Sequence, residues 1–533
     1  MPDYADTILL ACVFTADAGQ PRAEAVAVHG RRILFVGSAE DADRFRGRAT
    51  RVIDGRDCTL LPGFIDSHFH LLHGSEELGN IQLQDVGGMA DLEAVVHSYA
   101  AANPDLPFLS GFGLSYAVLP DQTLTRRQLD AILPDRPLIL FAYDGHTAWA
   151  NTPALELGGI LNGGEAGPNA EIVVDADGTA SGELREPGAF DPIKDLIPEP
   201  DDNRRRALLR EGLAEAARQG ITGVHNMGGD RERMAFFAAM EDLDELTLRV
   251  YCPVNVWPDT PLEALAEAAE LRNVYQGGML RAGSLKFFMD GVVESYTALL
   301  LDEYADRPGW LGDANYSADL FNRFAVEADR LGLQIFVHAI GDGAVRRTLD
   351  GFEAAREANG PRDSRHRVEH IELIHPDDLP RFAELGVIAS MQPLHSPMQV
   401  DGSDVWPERV GADRWGRSFA WAALRGAGAR LVFGSDWPVA SQSVMAGIHA
   451  AVTRPPWAEG LPDQGQLLSD ALLSYTLDGA YAEFQEEEKG QLKAGMLADV
   501  VLLSDDIFSI PPAALADVRP LLTMCDGRIV YEA

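Results

Sequence analysis

The chain has 533 residues, 46% hydrophobic and 24% charged, with 51 glycines and 31 prolines, a globular composition too long for a single ordinary core and unlike that of a disordered or fibrous chain. Its formal net charge of −38 excludes sequence-independent nucleic-acid binding and attachment to an anionic membrane, both of which need Lys and Arg. The same charge fits a solvated acidic surface or adaptation to high salt and does not choose between them.

The N-terminus, MPDYADTILLACVF, opens on acids instead of a basic n-region, and no later run offers about 18 uninterrupted apolar residues. A cytoplasmic protein that does not span a membrane is expected. Short β-type runs follow, TILLACVFTAD, AEAVAVHG, RRILFVGS and ATRVIDGRDCTLL, and the last fifty residues repeat that texture in GMLADVVLLSDD and RPLLTMCDGRIVYEA. Both ends of the chain, 1–61 and 485–533, are therefore expected to build one small sheet domain.

Between them, in 62–484, strand-like runs alternate with amphipathic stretches, the pattern of parallel βα units. The candidate strands are LLPGFIDSHFH, ITGVHNMG, TLRVYCPVNV, SLKFFMDG, LQIFVHAIG, HRVEHIEL, VIASMQP and RLVFGSDWPV. Helical stretches such as NRRRALLREGLAEAARQG and ADLFNRFAVEADRLG close on a Gly stop. Eight strands is the number a (β/α)8 barrel requires. Residues 75–200 interrupt the alternation with a strand and turn in PLILFAYDGHTAWAN and a hairpin around Asp-Gly in EIVVDADGTASGELRE. An insertion after the first barrel strand sits at the active-site mouth, so this one is expected to be a lid or substrate-binding subdomain. Cys12, Cys58, Cys252 and Cys525 are scattered without a CxxC, which suggests neither a zinc ribbon nor a disulfide framework.

Ligand-type side chains recur at the ends of these runs. His68 and His70 end the first and, two residues apart in a strand, project to the same side. Lys286 lies in the fourth run, His338 in the fifth, His370 in the sixth and Asp436 in the eighth. Each alone reads as a hydrogen-bonded core or loop residue. Together they read as one inward-facing metal site, because barrel strands bring their C-terminal residues to one face. Lys286 is an ammonium inside an apolar strand of a chain with four lysines, so it must be paired, neutralised or chemically changed. A salt bridge to Asp290 is one solution. The other is a lowered pKa and addition of carbon dioxide, giving an anionic carbamate that bridges two metal ions.

These residues resemble the amidohydrolase superfamily: HxH on the first strand, Lys on the fourth, His on the fifth and sixth, Asp on the eighth. AEAVAVHGRRILFVGS, LPGFIDSHFHL, DGHTAWAN, GITGVHNMG, VHAIGDGAV, HRVEHIELI, FGSDWPV and KGQLKAGMLADVVLLS are similar to segments of amidohydrolase family 3, a YtcJ-like branch that includes N-substituted formamide deformylases. The resemblance implies an α/β fold: a distorted (β/α)8 TIM-like barrel with a small β-sandwich domain built from both termini. It implies that His68, His70 and Asp436 bind one ion, that carbamylated Lys286 bridges, and that His338 and His370 hold a second. Zinc is the expected metal, in one or two ions, with iron or manganese as alternatives. At such a site coordination lowers the pKa of water to about 7, giving a hydroxide nucleophile, and Asp436 serves as proton shuttle.

His395, in MQPLHS, is a candidate catalytic or substrate-binding residue that stabilises the oxyanion, with a loop position as the plain alternative. His146 and Trp149, beside Tyr143 and Asp144, are candidates to line a pocket over the barrel, and packed Trp and turn-forming Asp are the structural alternative. Arg185 is placed to meet a substrate carboxylate or a neighbouring acid. His225 is read as a support behind the ligands and His73 as an exposed loop residue. The expected function is hydrolysis of a non-peptide C–N bond in a small molecule, such as an N-substituted amide or formamide, by a protein whose default assembly is a homodimer. Two alternatives stand beside it: a one-metal deaminase of a heterocycle, with Asp342 as substitute shuttle, and a silent binding or regulatory protein on the same fold.

Overall fold

Through the middle of the chain eight parallel strands alternate with helices, each strand paired with its neighbours in sequence order, in a computed structural model that describes residues 4–119, 123–143, 145–167, 170–198, 200–400 and 405–533. The strands are β1 (Phe64–Phe69), β2 (Ile221–Asn226), β3 (Arg249–Asn255), β4 (Leu280–Phe288), β5 (Gln334–Ala339), β6 (Arg367–His370), β7 (Ile388–Met391) and β8 (Arg430–Phe433). All eight coincide with the runs expected from sequence. The ring closes through the turn after β8: Phe69 bridges Trp437 in parallel, and Asp436 N–H donates to His68 O at 2.7 Å. Strands such as QIFVHA in β5 are buried along their whole length, as both-face coverage by helices demands.

The helices follow from their sequence. Ser317 caps the helix Ala318–Arg330 by accepting the Leu320 N–H, and Phe321, Phe324, Ala325 and Ala328 form its buried stripe. Gly434 is required where β8 passes β1, because a Cβ there would lie 2.4 Å from His68 N. Among the described residues no helix is long and apolar enough to cross a membrane.

Both ends of the chain meet in one seven-stranded sheet. Arg51–Pro62 lies in its middle, parallel to Thr7–Phe14 on one side and antiparallel to Val500–Leu503 on the other. Its two arms share an apolar cluster in which Leu9, Val26 and Val28 meet Val500, Leu522 and Met524. The insertion after β1 forms a separate six-stranded sheet. Its Leu138–Ala142 and Thr147–Ala150 pair antiparallel, and Glu171–Val174 with Ala180–Arg185 makes the hairpin read from EIVVDADGTASGELRE.

Candidate metal centre

His68, the next-to-last residue of β1, is buried and fixed from behind: its Nδ1 lies 2.7 Å from Glu369 Oε2, which leaves Nε2 directed at Asp436 Oδ1, 3.4 Å away. His70, one residue past the strand, places Nε2 3.1 Å from the same oxygen. Both are brought there by the closing turn, in which Trp437 O accepts the His70 N–H at 2.9 Å. His370 ends β6 with a φ of 76° and Asp436 has a φ of 61°, left-handed conformations that L-residues hold only when their surroundings impose them. One ligand atom each of His68, His370 and Asp436 falls within 4.8 Å of the others. The His338 and His370 rings lie 4.4 Å apart between centroids, and Lys286 reaches the same floor from β4.

The protonation states suit ligation. Burial pushes His68 down to about 4 and His338 to about 3, and holds His370 well below its ordinary value, so all three offer lone pairs at neutral pH. Burial alone would raise Asp436, but His68, His70 and His370 keep it well below the usual carboxylate range. Both ring nitrogens of His370 and the Lys286 Nζ are buried with no hydrogen-bond partner among the described residues. Buried polar atoms are ordinarily paired. An unpartnered His370 nitrogen grouped with His68 and Asp436 fits the donor set of a divalent cation of the zinc type.

The salt bridge from Lys286 to Asp290 does not form. Asp290 is occupied by the backbone N–H groups of Leu299, Ile340 and Gly341 at 2.9, 3.1 and 3.0 Å. Burial lowers the Lys286 amine to about 8, and its Nζ lies 4.8 Å from the centroid of the Phe288 ring.

Apart from His225, sequence reading missed what stands behind the candidate ligands. Arg367 of β6, fully buried, donates to both Glu369 oxygens at 2.8 and 3.0 Å and to Ser390 Oγ at 2.9 Å. Its Nη1 lies 2.6 Å from His225 Nδ1, and His225 Nε2 lies 3.4 Å from Glu483, which pairs with Lys489 at 2.6 Å. Burial would raise Glu369, yet Arg367 and His68 hold it well below its ordinary range. Asp66 is a second such support: its carboxylate accepts the His68 and Ser435 N–H groups at 3.1 and 3.0 Å. The signal available was two charges at alternate positions, Arg367 and Glu369, in the short buried strand RVEH.

A cavity of about 760 Å³ opens above this floor, and His73, His146 and His395 line it together with the six residues of the centre. His395 Nε2 is 3.8 Å from Asp436 Oδ2 and its Nδ1 is 3.6 Å from Glu372; against burial, these carboxylates raise its pKa. His146 comes from the insertion and is held by Glu186 at 2.9 Å. His73 is half exposed. Trp149 is instead buried in the insertion, donating to Thr123 Oγ1 at 3.1 Å and packing on Tyr116. Arg185 faces Glu183 and Glu171, each at 2.7 Å, away from the cavity. Asp342 accepts from Leu301 N and Arg417 Nη1, both at 2.8 Å, so it is not turned to the site. Tyr143 lines the cavity; Asp144 lies outside the described residues.

The chain is similar to known proteins at several levels. The family described as "Amidohydrolase family" matches residues 51–531. Protein LONG AFTER FAR-RED 3 of Arabidopsis thaliana is 30% identical, over 97% of this chain and 90% of its own. An N-substituted formamide deformylase of Arthrobacter pascens is 25% identical over 98% of each. The crystal structure of an uncharacterized metal-dependent hydrolase from Pyrococcus furiosus superposes with a TM-score of 0.72 at 26% identity, covering 95% of this chain and 99% of that one.

Proposed function

The chain belongs to the amidohydrolase family and is a metal-dependent hydrolase, and from that premise we propose that it cleaves a non-peptide C–N bond in a small N-substituted amide of the formamide kind, as the name of its Arthrobacter relative suggests. The observation that carries this reading is the buried His370 ring with both nitrogens unpartnered beside Asp436 and Lys286. His68, His70 and Asp436 would hold one divalent cation, zinc by preference, and His338 and His370 a second, with Lys286 as a bridging carbamate. A cation so held polarises the substrate carbonyl and makes water a nucleophile near neutral pH.

The protein's own groups account for the rest. Asp436, within 4 Å of His68, His70, His370 and His395, takes the proton of the attacking water and delivers it to the departing nitrogen. His395, charged more readily than an ordinary histidine, donates to the carbonyl oxygen as it gains negative charge. Lys286 with a pKa near 8 has free amine available for carbon dioxide at mildly alkaline pH. The insertion supplies His146 and Glu186 to the outer wall and restricts access of bulk water. A deaminase reading loses its shuttle, since Asp342 is bound to Arg417.

Metal content and amide hydrolysis of Lys286→Ala and Asp436→Asn test the proposal. Lys286→Ala is expected to lose metal and most activity, and Asp436→Asn to lose at least about 100-fold in kcat, the scale of a general acid–base group. Full metal and full rate in Lys286→Ala would remove the carbamate; an active Asp436→Asn would remove the shuttle.

A further inference from the structure

The metal centre occupies the C-terminal ends of the barrel strands, and a cleft of about 360 Å³ opens at their opposite ends. It lies where Arg281 and Gly283 begin β4, where Gly332 precedes β5, and beside the helix Leu265–Val274, which carries Arg272. Its charged lining is Arg272, Arg281, Arg362 and Asp363, three cations and one acid in a chain of net charge −38. Two of the four are spent elsewhere. Arg362 bonds Asp329 and donates to Leu333 O at 2.7 Å, and Asp363 is turned to Arg365, 2.8 Å away. Arg281 donates its Nη1 to Glu483 O at 2.7 Å; the Glu483 carboxylate stands 3.8 Å off and is held more closely by Lys489, at 2.6 Å. Arg272 donates its Nη1 to the Leu331 and Gly332 carbonyls at 3.2 and 2.9 Å, which caps the helix Ala318–Arg330. Among the described residues it makes no other hydrogen bond and has no carboxylate within 4 Å.

Two glycines make room for this side chain. A Cβ at Gly283 would lie 3.2 Å from Arg272 Cγ, and one at Gly332 would lie 3.3 Å from its Nη1. Arg281 is steadied in turn by the Tyr251 ring, 5.8 Å from its guanidinium carbon. The adjoining cleft, which shares Arg281, is the contrasting case. There Arg31, Arg32, Arg249 and Lys489 face Asp526, Glu488, Asp499 and Glu483 at 2.6, 2.9, 2.8 and 2.6 Å, so each charge already has its partner. Arg272 and Arg281 are instead fixed mainly by neutral carbonyls, with the Nε and Nη2 edge of Arg272 left over. Guanidinium forks of this kind match the oxygens of phosphate, and side chains already held in place lose little freedom on binding. We propose that the cleft between Arg272 and Arg281 binds a phosphate-type oxyanion, as the free ion or as the end group of a phosphate monoester. The site stands apart from the metal centre and does not depend on which bond is cleaved there.

Calorimetric titration of the metal-loaded enzyme with inorganic phosphate and with phenyl phosphate tests this, and hydrogen exchange locates the ion. Exchange is expected to slow in 272–284 and 331–334. Affinity should fall at least about ten-fold in Arg272→Gln and in Arg281→Gln, since a charge-assisted bond is lost in each, and added sodium chloride should weaken binding to the parent enzyme. Arg272→Lys, which keeps the charge but not the fork, should lose less than Arg272→Gln. Metal content reports whether each variant is folded; should Arg272→Gln fail to fold, Arg281→Gln and the exchange map decide. Tighter binding of phenyl phosphate would identify a monoester as the ligand, and tighter binding of inorganic phosphate the free ion. Protection confined to the segments around His68 and His370, an affinity unchanged in both glutamine variants, or binding of neither probe would overturn the assignment.

Discussion

Replacing Arg367 by methionine tests whether the metal ligands depend on a charge buried beneath them. The guanidinium is fully buried and makes two bonds to Glu369, one to Ser390, one to His225 and one to Ser67 O. Its loss leaves the Glu369 carboxylate with His68 as its remaining close ionisable partner, and breaking one side of a buried ion pair costs about 3–5 kcal/mol. Protonation of Glu369 is the relief available, because burial already pushes that carboxyl upward. His68 then faces a carboxylic acid, a weaker acceptor for its ring N–H than the carboxylate, so metal affinity falls about 10- to 100-fold, as it does when ligand supports are lost. Urea unfolding and metal titration read the two effects. Arg367→Met/Glu369→Gln removes both charges and leaves an amide oxygen to accept from His68, so it should recover at least about 2 kcal/mol over the single variant. A single-variant cost below about 1 kcal/mol, or a double variant no more stable than the single, would refute the buried-charge argument.

Two further perturbations address the scaffold. Burial would raise Asp329, but His366, Asn359 and Arg362 together lower it to about 2. A depressed carboxyl contributes stability that is present above its unfolded pKa near 4 and is lost as pH falls through about 2. Asp329→Asn should therefore be about 2 kcal/mol less stable between pH 5 and 8, with the deficit shrinking below pH 4; a deficit that widened on acidification would reverse the sign. Gly434→Ala would set a methyl 2.4 Å from His68 N and 2.7 Å from Asp66 Oδ1, prising β8 from β1 at a cost of about 1–3 kcal/mol. It should bind less metal, and a variant with full metal content would show that the strands yield without moving the ligands.

The eight barrel strands were legible because each is an apolar run bounded by turn residues, and the candidate ligands drew notice because they recur at the ends of those runs. The insertion was harder. In DGHTAWAN, Asn151 proves to be the keystone: its Oδ1 accepts from Leu138 N at 2.9 Å and Ala154 N at 3.1 Å, while Nδ2 donates to Leu133 O at 2.9 Å and Arg136 O at 2.8 Å. Four bonds spread over the sequence cannot be read from one asparagine. Arg185 was open between substrate and acid because its partner depended on register; in the hairpin Glu171 lies directly opposite it, and a cross-strand ion pair follows. His370 shows the limit of period-two reasoning. It has the opposite parity to Arg367 and Glu369, yet all three serve one site, because the left-handed turn at His370 and Ile371 redirects the chain as the strand ends.

Two lysines separate structure from chemistry in a way residue type alone does not. Lys286 and Lys489 are equally inaccessible, 0% and 3% exposed, and an unpaired buried ammonium is costly in either place. Lys489 is held by Glu483 at 2.6 Å, so its burial is compensated and its role in joining the terminal segment to the barrel is complete without further chemistry. Lys286 has carboxylates near enough to act on it electrostatically but none within bonding distance among the described residues, and burial is the largest influence on it. The fold thus keeps one of its four lysines where the charged amine is disfavoured and has no hydrogen-bond partner among the described residues. A neutral amine that adds carbon dioxide resolves both problems, converting an unpaired base into an anion that cations on either side would bind. A structural lysine would tolerate exchange for methionine here with little loss of metal; the carbamate requires that metal be lost with it.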